Sequence, residues 1–255
     1  MLTEIFAQLK RHAFIALLAV LIITFFTRNN CRSVKDIHPA VLKTPSQIKI
    51  AYPATIAFAN NNYSFQVTPI YYYDLNGIIV GKMDYRLFSI YKTDSVFPMD
   101  LCMIWGDNVK SAVYRNPSVK FSQDCRWCWV HWLGDVKFNL NEISNNHLLV
   151  NNKRVEGILK TLVVGDQVRI KGKLVNVKAR LTGRGSSYDS SEITWNSSTT
   201  REDGGAGACE VIYVDEIEVL RKANILSYYL FHASLYGIIA LTIWKAIRFF
   251  YTPRP

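Results

Sequence analysis

Two apolar segments without formal charge, one near each end, constrain this chain more than any other feature. The first occupies residues 12–27, and Ala13–Phe26 reads AFIALLAVLIITFF. At 1.5 Å per residue it extends about 24 Å, slightly less than a hydrocarbon core of about 30 Å, but Lys10, Arg11 and Arg28 can snorkel at its ends. The small residues of a signal-peptide cleavage site do not follow it. We therefore predict an uncleaved membrane anchor.

The second segment, Ala223–Trp244, is the stronger candidate for a transmembrane helix. Its 22 residues between Lys222 and Lys245 extend about 33 Å, which is enough to cross a bilayer. Two spans place both termini on one side of the membrane and the residues between them on the other. The predicted organisation is an N-terminal tail and span (1–28), a linker or arm (29–69), a β-domain (70–222), and a C-terminal span with a short basic tail (223–255).

The formal net charge of +10 suggests nucleic-acid binding until its distribution along the chain is considered. Residues 1–44 carry +4, residues 45–222 carry +3, and residues 223–255 carry +3. Most of the excess therefore lies beside the apolar segments, where anionic lipid headgroups can receive it. We predict that membrane lipid is a partner and that nucleic acid is not.

The number of cysteines in the central region indicates the redox compartment. Four lie in the central region, at Cys102, Cys125, Cys128 and Cys209. An even set favours an oxidising compartment, and we predict disulfides among these four without a defined pairing. The basic residues near the two spans are evenly divided, so the positive-inside rule does not choose a side. We therefore predict a two-pass inner (plasma) membrane protein whose central domain is extracytoplasmic.

The central region is predicted to be mainly β with one helix. Segments dense in Tyr, Ile, Val and Phe predict strands. These segments are Ile70–Tyr73, Gly77–Tyr85, Leu87–Tyr91, Leu101–Trp105 and Val109–Tyr114, with turns at Asn76-Gly77 and Gly106-Asp107-Asn108. Apolar residues on one face predict a helix over Lys153–Leu162, capped by Asn151 or Asn152. Strict alternation over Val168–Leu174 predicts a half-buried strand, and Cys209–Leu220 is the last predicted strand.

The order of these elements over Lys153–Leu220, with GDQVRIKGKLV after the helix and VIYVDEIEVL at the end, resembles the second half of an OB-fold. Tyr71–Tyr85 is its possible first strand. The Cys125–Trp132 segment and the long loop after the fourth strand depart from a compact OB-fold. The resemblance implies a binding surface shaped by loops between strands, and no particular ligand. The stretches DLCMIWGDNV, ISNNHLL and SSTTREDGGAGACE are also similar to uncharacterised bacterial membrane-anchored proteins, which implies no activity.

The C-x-x-C pair Cys125 and Cys128, followed by His131, has three interpretations: a structural disulfide, half of a metal site, or a redox pair. The redox interpretation requires a helix start in a βαβ setting, which this β-rich context lacks. A metal site requires further ligands from distant residues. We favour structural disulfides or buried thiols, and we predict no cofactor.

The polar stretch Gly183–Cys209 is the other candidate for chemistry. A hydrolase hypothesis would use Ser198 or Thr199 as nucleophile, His147 as base and Asp107, Glu202 or Asp203 as orienter, with Arg201 in the same candidate set. No nucleophile motif supports it. In a non-catalytic hypothesis, this stretch forms a compact turn network at a binding edge. The candidate binding residues there and in the neighbouring turns are Trp105, Asn108, Asn145, Arg201, Glu202 and Asp203.

Arg169, Lys171 and Lys173 project from one face of a predicted strand and are candidate anion contacts, although a solvated strand face is the commoner cause of such spacing. The function best supported by the sequence is a non-enzymatic, membrane-anchored binding or scaffold protein that contacts a protein partner or an envelope component. An envelope hydrolase and a thiol-redox or metal-binding protein are the alternatives.

Overall fold

A computed structural model describes residues 2–60, 62–86, 96–124, 126–182, 192–205 and 207–251. By their internal contacts the residues form two compact units: residues 31–222 are one, and residues 1–30 with 223–255 are the other. The predicted strand Leu87–Tyr91 and Cys125 lie outside the described residues.

The unit made of the two ends contains the helices α1 (Leu2–Thr27) and α4 (Ile225–Tyr251). These helices pack together, with the Phe25 and Phe231 rings 6.4 Å apart. Among the described residues, one helix, Ile225–Phe250, is long and apolar enough to cross a membrane. The apolar part of α1, His12–Thr27, is shorter than a full span. The C-terminal helix could therefore cross a membrane, and the prediction of two spans is not confirmed.

The other unit is mainly β, as predicted. Its helices are α2 (Gly106–Lys110) and α3 (Lys153–Thr161). Its strands are β1 (Ser46–Lys49), β2 (Ile56–Asn60), β3 (Tyr63–Asp84), β4 (Met99–Ile104), β5 (Val119–Asp124), β6 (Trp127–Trp132), β7 (Ile143–Leu149), β8 (Gln167–Leu181), β9 (Ile193–Asn196) and β10 (Glu210–Arg221). Residues 29–69, predicted as a linker or arm, thus contribute β1, β2 and the start of β3.

Within the described residues, eight strands form one sheet in the order β1-β3-β4-β7-β10-β8-β9, with β2 on β3. Strand β8 also pairs with β3, from Tyr63–Leu181 to Ile78–Gln167. The β7–β10 pairing is parallel, whereas the other pairings are antiparallel. Strands β5 and β6 form a separate two-stranded hairpin.

The sheet buries apolar side chains on both faces. The larger core takes alternate residues of β4, Met99, Leu101 and Met103, and Val155 and Leu159 of α3 pack into it. A second core on the opposite face comes from β2, β3, β8 and β9. Because side chains alternate along a strand, the residues between the core positions of β4 point to the second face. Asp100 and Cys102 are those residues.

Several sequence predictions within this unit are wrong. Gly106-Asp107-Asn108, predicted as a turn, is the start of α2. Val109–Tyr114 is not a strand, because α2 and a short 3-10 helix (Val113–Arg115) occupy it. Asn76-Gly77 is not a turn, because β3 continues through it. Gly77 is instead required by packing: a Cβ there would lie 2.8 Å from the Ile104 carbonyl oxygen of β4.

Candidate functional site

The segment between β9 and β10, residues 197–209, brings two predicted binding residues together. The Arg201 guanidinium donates a 3.3 Å hydrogen bond to the Tyr73 hydroxyl. The same guanidinium lies 5.5 Å from the centre of the Trp105 ring. Glu210, the first residue of β10, is 4% exposed and interacts electrostatically with Arg201. We call Tyr73, Trp105, Arg201 and Glu210 the Arg201 cluster.

Burial controls the ionisation of this cluster. It raises the pKa of Glu210 to about 8, and the nearby Asp203 carboxylate adds to the effect while Arg201 opposes it. The Glu210 carboxyl is therefore largely neutral at pH 7. Burial also raises the pKa of Tyr73, with a further contribution from Glu210. Arg201 consequently supplies the positive charge of the cluster.

Three members of the Arg201 cluster carry a buried polar atom without a hydrogen-bond partner. These atoms are Trp105 Nε1, Arg201 Nε and Glu210 Oε2. Most buried polar atoms in folded proteins are hydrogen-bonded, so a group of three in one cluster requires an explanation. Two of the atoms are donors, and the third belongs to a carboxyl group, which can donate or accept. The arrangement therefore suits a ligand group rich in oxygen acceptors.

The rest of the 197–209 segment is held by its own hydrogen bonds. The Ser198 hydroxyl donates to the Asp203 carboxylate at 2.6 Å. The Ser198 backbone N–H donates to the Cys209 carbonyl at 2.9 Å. Glu202 is exposed, and its N–H lies 3.3 Å from the Thr200 hydroxyl. These contacts shape the loop that carries Arg201.

The residues of the hydrolase hypothesis occupy three different environments. Asp107 is exposed on α2 and pairs with Lys110 at 2.9 Å. Ser198 donates to Asp203, as described above. His147 is fully buried on β7, with Nδ1 2.9 Å from Asp100 Oδ1. Alternation places His147 on the sheet face opposite Leu148, a residue of the larger core to which Trp105 also belongs. The arrangement does not bring Ser198, His147 and Asp107 into one triad.

Two predicted binding asparagines hold the backbone. Asn108 donates to the Asn139 carbonyl at 2.7 Å and accepts from the Asn139 N–H at 2.9 Å. Asn145 donates to the Arg126 carbonyl at 2.6 Å and accepts from Gln123 at 3.0 Å. Both side chains are buried. Their contacts fix loops against the sheet.

The basic residues of β8 each face a carboxylate. Arg169 makes a two-point contact with Asp74, at 2.9 and 2.6 Å. Lys171 lies 3.9 Å from Glu216, and Lys173 pairs with Asp215. These acids reduce the positive charge available to an anion, so the anion-contact hypothesis for the three cations stays a prediction.

The cysteines partly resolve the C-x-x-C alternatives. Cys102 and Cys128 form a disulfide with their Cα atoms 5.7 Å apart. Cys31 and Cys209 are free thiols. His131 is exposed and stacks on Trp129 at 6.4 Å between ring centres. Within the described part of the chain, no group of three or more His, Cys, Asp and Glu side chains is arranged to hold a metal ion.

Sequence reasoning missed a buried polar cluster on the second face of the sheet. The Asp100 carboxylate accepts hydrogen bonds from Tyr85 at 2.9 Å and from Arg126 at 2.9 Å, and it lies against His147. Arg126 comes from the turn that joins β5 to β6 and also donates to the Phe97 carbonyl. We call Tyr85, Asp100, Arg126 and His147 the Asp100 cluster. The acidic residue inside the strand MDLCMI was the sequence feature that could have predicted this cluster, because a fully buried carboxylate needs polar partners.

None of the protein-family models, curated proteins or solved structures compared with the chain matches it.

Proposed function

We propose that this chain is a non-enzymatic, membrane-anchored binding protein whose extracytoplasmic β-domain receives an acidic partner or envelope component at the Arg201 cluster. The observation that carries the proposal is the set of unpartnered buried polar atoms on Trp105, Arg201 and Glu210. Asp107 pairs with Lys110, His147 with Asp100 and Ser198 with Asp203, and these different partners favour binding over hydrolysis.

The pairing order supports an OB-like arrangement of the β-domain. Strands β3, β4, β7, β10 and β8 pair in that sequence, β8 pairs again with β3, and α3 lies between β7 and β8 in the chain. OB-folds bind ligands with loops between strands. The 197–209 segment joins two strands that both pair with β8, so Arg201 lies in a loop of this kind.

The membrane arrangement that we propose has two spans. Helix α4 supplies one. The apolar part of α1 supplies the other, with Lys10, Arg11 and Arg28 extending its reach into the headgroups. The Cys102–Cys128 disulfide favours an oxidising, extracytoplasmic location for the β-domain, because disulfides rarely persist in the cytosol.

The charge of the Arg201 cluster indicates the ligand chemistry. With Glu210 neutral at pH 7, the cluster contains the Arg201 cation and the buried Trp105 indole N–H. A carboxylate accepts hydrogen bonds from both kinds of donor, and a contact with a guanidinium is charge-assisted. We therefore propose that the partner presents a carboxylate to Arg201.

Thermal unfolding of the detergent-purified full chain tests this proposal with acetate as the probe and chloride at equal ionic strength as the reference. A ligand that binds the folded state raises Tm in a saturable way. Acetate is expected to raise Tm for the unmodified chain and for Lys120→Gln, which removes an exposed cation of β5, but not for Arg201→Gln. An equal response of all three proteins would overturn the carboxylate site. Hydrolytic turnover that is abolished by His147→Ala or Ser198→Ala would overturn the non-enzymatic assignment.

A further inference from the structure

We propose that Cys209 is a nucleophilic thiol, activated by His147 with Asp100 behind it, that reacts with disulfides to form a mixed disulfide. This activity is separate from ligand binding at the Arg201 cluster. It uses the opposite face of the sheet, and its test does not depend on the acetate experiment.

Strand register brings the three groups together. In the parallel pairing of β10 with β7, Val211 is opposite His147 and Glu210 is opposite Asn146. Cys209 therefore lies beside Asn145, and the Asn145 amide nitrogen is 3.5 Å from Cys209 Sγ. Because side chains alternate along a strand, His147 and Asn145 point to the same face, next to the thiol.

His147 is suited to act on this thiol. It is fully buried, and neither ring nitrogen has a well-directed hydrogen bond. Its Nδ1 nevertheless lies 2.9 Å from Asp100 Oδ1, close enough for a strong charge interaction. The Phe97 and Trp195 rings pack against the imidazole, with centres 5.7 and 5.1 Å away. The imidazole is thus held in place between a carboxylate and two aromatic rings.

The ionisation of His147 supports the same assignment. Burial lowers its pKa, but the Asp100 charge and contacts with Asp100 and Cys209 outweigh burial and raise the pKa to about 9. The ring is therefore an imidazolium at neutral pH, and a cation beside a cysteine stabilises the reactive thiolate form.

The other ionisable groups around His147 come from neighbouring elements. Arg126 and Tyr85 both bond to Asp100 from outside β7. Glu210 interacts with His147 from β10, but its pKa of about 8 leaves it largely neutral at pH 7. At that pH Asp100 is therefore shared between the Arg126 guanidinium and the imidazolium, and the imidazolium remains next to Cys209.

Access and redox balance fit exchange with a disulfide. Cys209 is partly exposed, whereas Cys31, the other free thiol in the described part of the chain, is buried. The Cys209 thiolate attacks one sulfur of R–S–S–R, the S–S bond breaks, Cys209–S–S–R forms, and R–S⁻ leaves with the electron pair. The incoming disulfide is the oxidant, and a second thiol reverses the step. A disulfide with a good thiolate leaving group is the class of substrate.

The experiment uses the full chain in detergent with Cys31→Ser and Cys125→Ser, and the probe is 5,5′-dithiobis(2-nitrobenzoate), whose released thiolate is coloured. One equivalent of thiolate is expected, and adding Cys209→Ser should abolish its release. At pH 6.5, His147→Gln is expected to slow the reaction by about tenfold or more, and the difference should diminish above pH 9, where His147 itself loses its proton. His131→Gln, which alters an exposed imidazole, is the matched control.

A rate unchanged by His147→Gln in a folded protein, judged by circular dichroism, would overturn the proposal. If that variant does not fold, the folded and denaturant-unfolded states of the parent chain are compared at pH 6.5. Faster reaction in the folded state supports activation of Cys209, because burial alone would only protect the thiol. An equal or slower folded-state rate contradicts it.

Discussion

At the residue scale, the domain is organised around acids that are buried in two different ways. Asp100 is fully buried and shares its oxygens with Tyr85, Arg126 and His147, so its desolvation is offset by hydrogen bonds and charge. Glu210 is almost as buried but retains an oxygen without a partner. Its carboxyl group remains largely protonated at pH 7, so that no unpaired charge is buried.

The ionisation of Glu210 predicts a pH-dependent stability. The pKa of about 8 in the folded state lies above the usual 4.5, so the unfolded chain loses this proton first as the pH rises. The protonated Glu210 carboxyl makes its full contribution to the free energy of unfolding below pH 4.5. This contribution is lost progressively up to about pH 8. We expect Glu210→Gln to remove this decline and to raise the free energy of unfolding at pH 8 by about 1 to 3 kcal/mol. Urea denaturation from pH 5 to 8 measures it, with the exposed Glu202→Gln as control. Parallel pH profiles for the two variants would contradict the prediction.

At the scale of single elements, local rules predict the structure well where local forces decide it. Helix α3 begins at Lys153 as predicted and ends at Thr161, one residue before the predicted end. The predicted segments 168–174 and 209–220 lie almost wholly within β8 and β10. The error at residues 109–114 has a tertiary origin, because the Glu142 carboxylate accepts hydrogen bonds from the first N–H groups of α2. That partner is 35 residues away from Asp107, so local patterning cannot reveal it.

Tertiary contacts also decide the conformation of the β5–β6 turn, which contributes Arg126 to the Asp100 cluster. Arg126 adopts a φ of 77°, a left-handed conformation that favours glycine. Its guanidinium contact with Asp100 and its backbone N–H bond to Tyr85 stabilise that conformation. Trp105 and Arg201 were identifiable as polar or aromatic groups near turns. Sheet register places Glu210 near Arg201 and places Cys209 beside the strand that carries His147. Local sequence patterns do not reveal that register.

The N-cap of α3 gives a prediction for a single element. The Asn152 side chain accepts hydrogen bonds from the N–H groups of Arg154 and Val155, at 2.8 and 3.4 Å. Replacing such a cap by alanine costs about 1 kcal/mol. We expect Asn152→Ala to lower the free energy of unfolding by about that amount, and Asn151→Ala, one residue outside the helix cap, to have a much smaller effect. Equal losses in urea denaturation would show that the cap does not stabilise α3.

At the scale of the whole molecule, the distribution of charge and hydropathy separates two kinds of structure in one chain. The β-domain buries its apolar side chains in two cores, whereas α4 leaves large apolar side chains such as Leu226, Ile239 and Phe250 exposed. An exposed apolar surface over a whole helix is typical of contact with lipid. Most of the net charge of +10 lies in residues 1–44 and 223–255, which contain α1 and α4, whereas residues 45–222 carry +3.

This organisation predicts where the C-terminal tail lies, and cysteine labelling of intact cells measures it. In a chain with Cys31, Cys125 and Cys209 changed to serine, Thr252→Cys reports the tail and the exposed Asp135→Cys reports the β-domain. A membrane-impermeant maleimide is expected to label the residue 135 cysteine and not the residue 252 cysteine.

Two matched arginine substitutions test whether α4 is responsible for that protection. Arginine at the centre of a span costs about 2.5 to 3.5 kcal/mol on insertion scales, whereas near a helix end it can snorkel to the interface. Ile239→Arg lies near the middle of Ile225–Phe250 and should expose the tail to the maleimide, because α4 then fails to insert. Ile247→Arg, beside Arg248, should leave the tail protected. Labelling of the residue 252 cysteine in every variant would show that α4 does not span the membrane. Labelling of that cysteine together with protection of the residue 135 cysteine would reverse the proposed orientation.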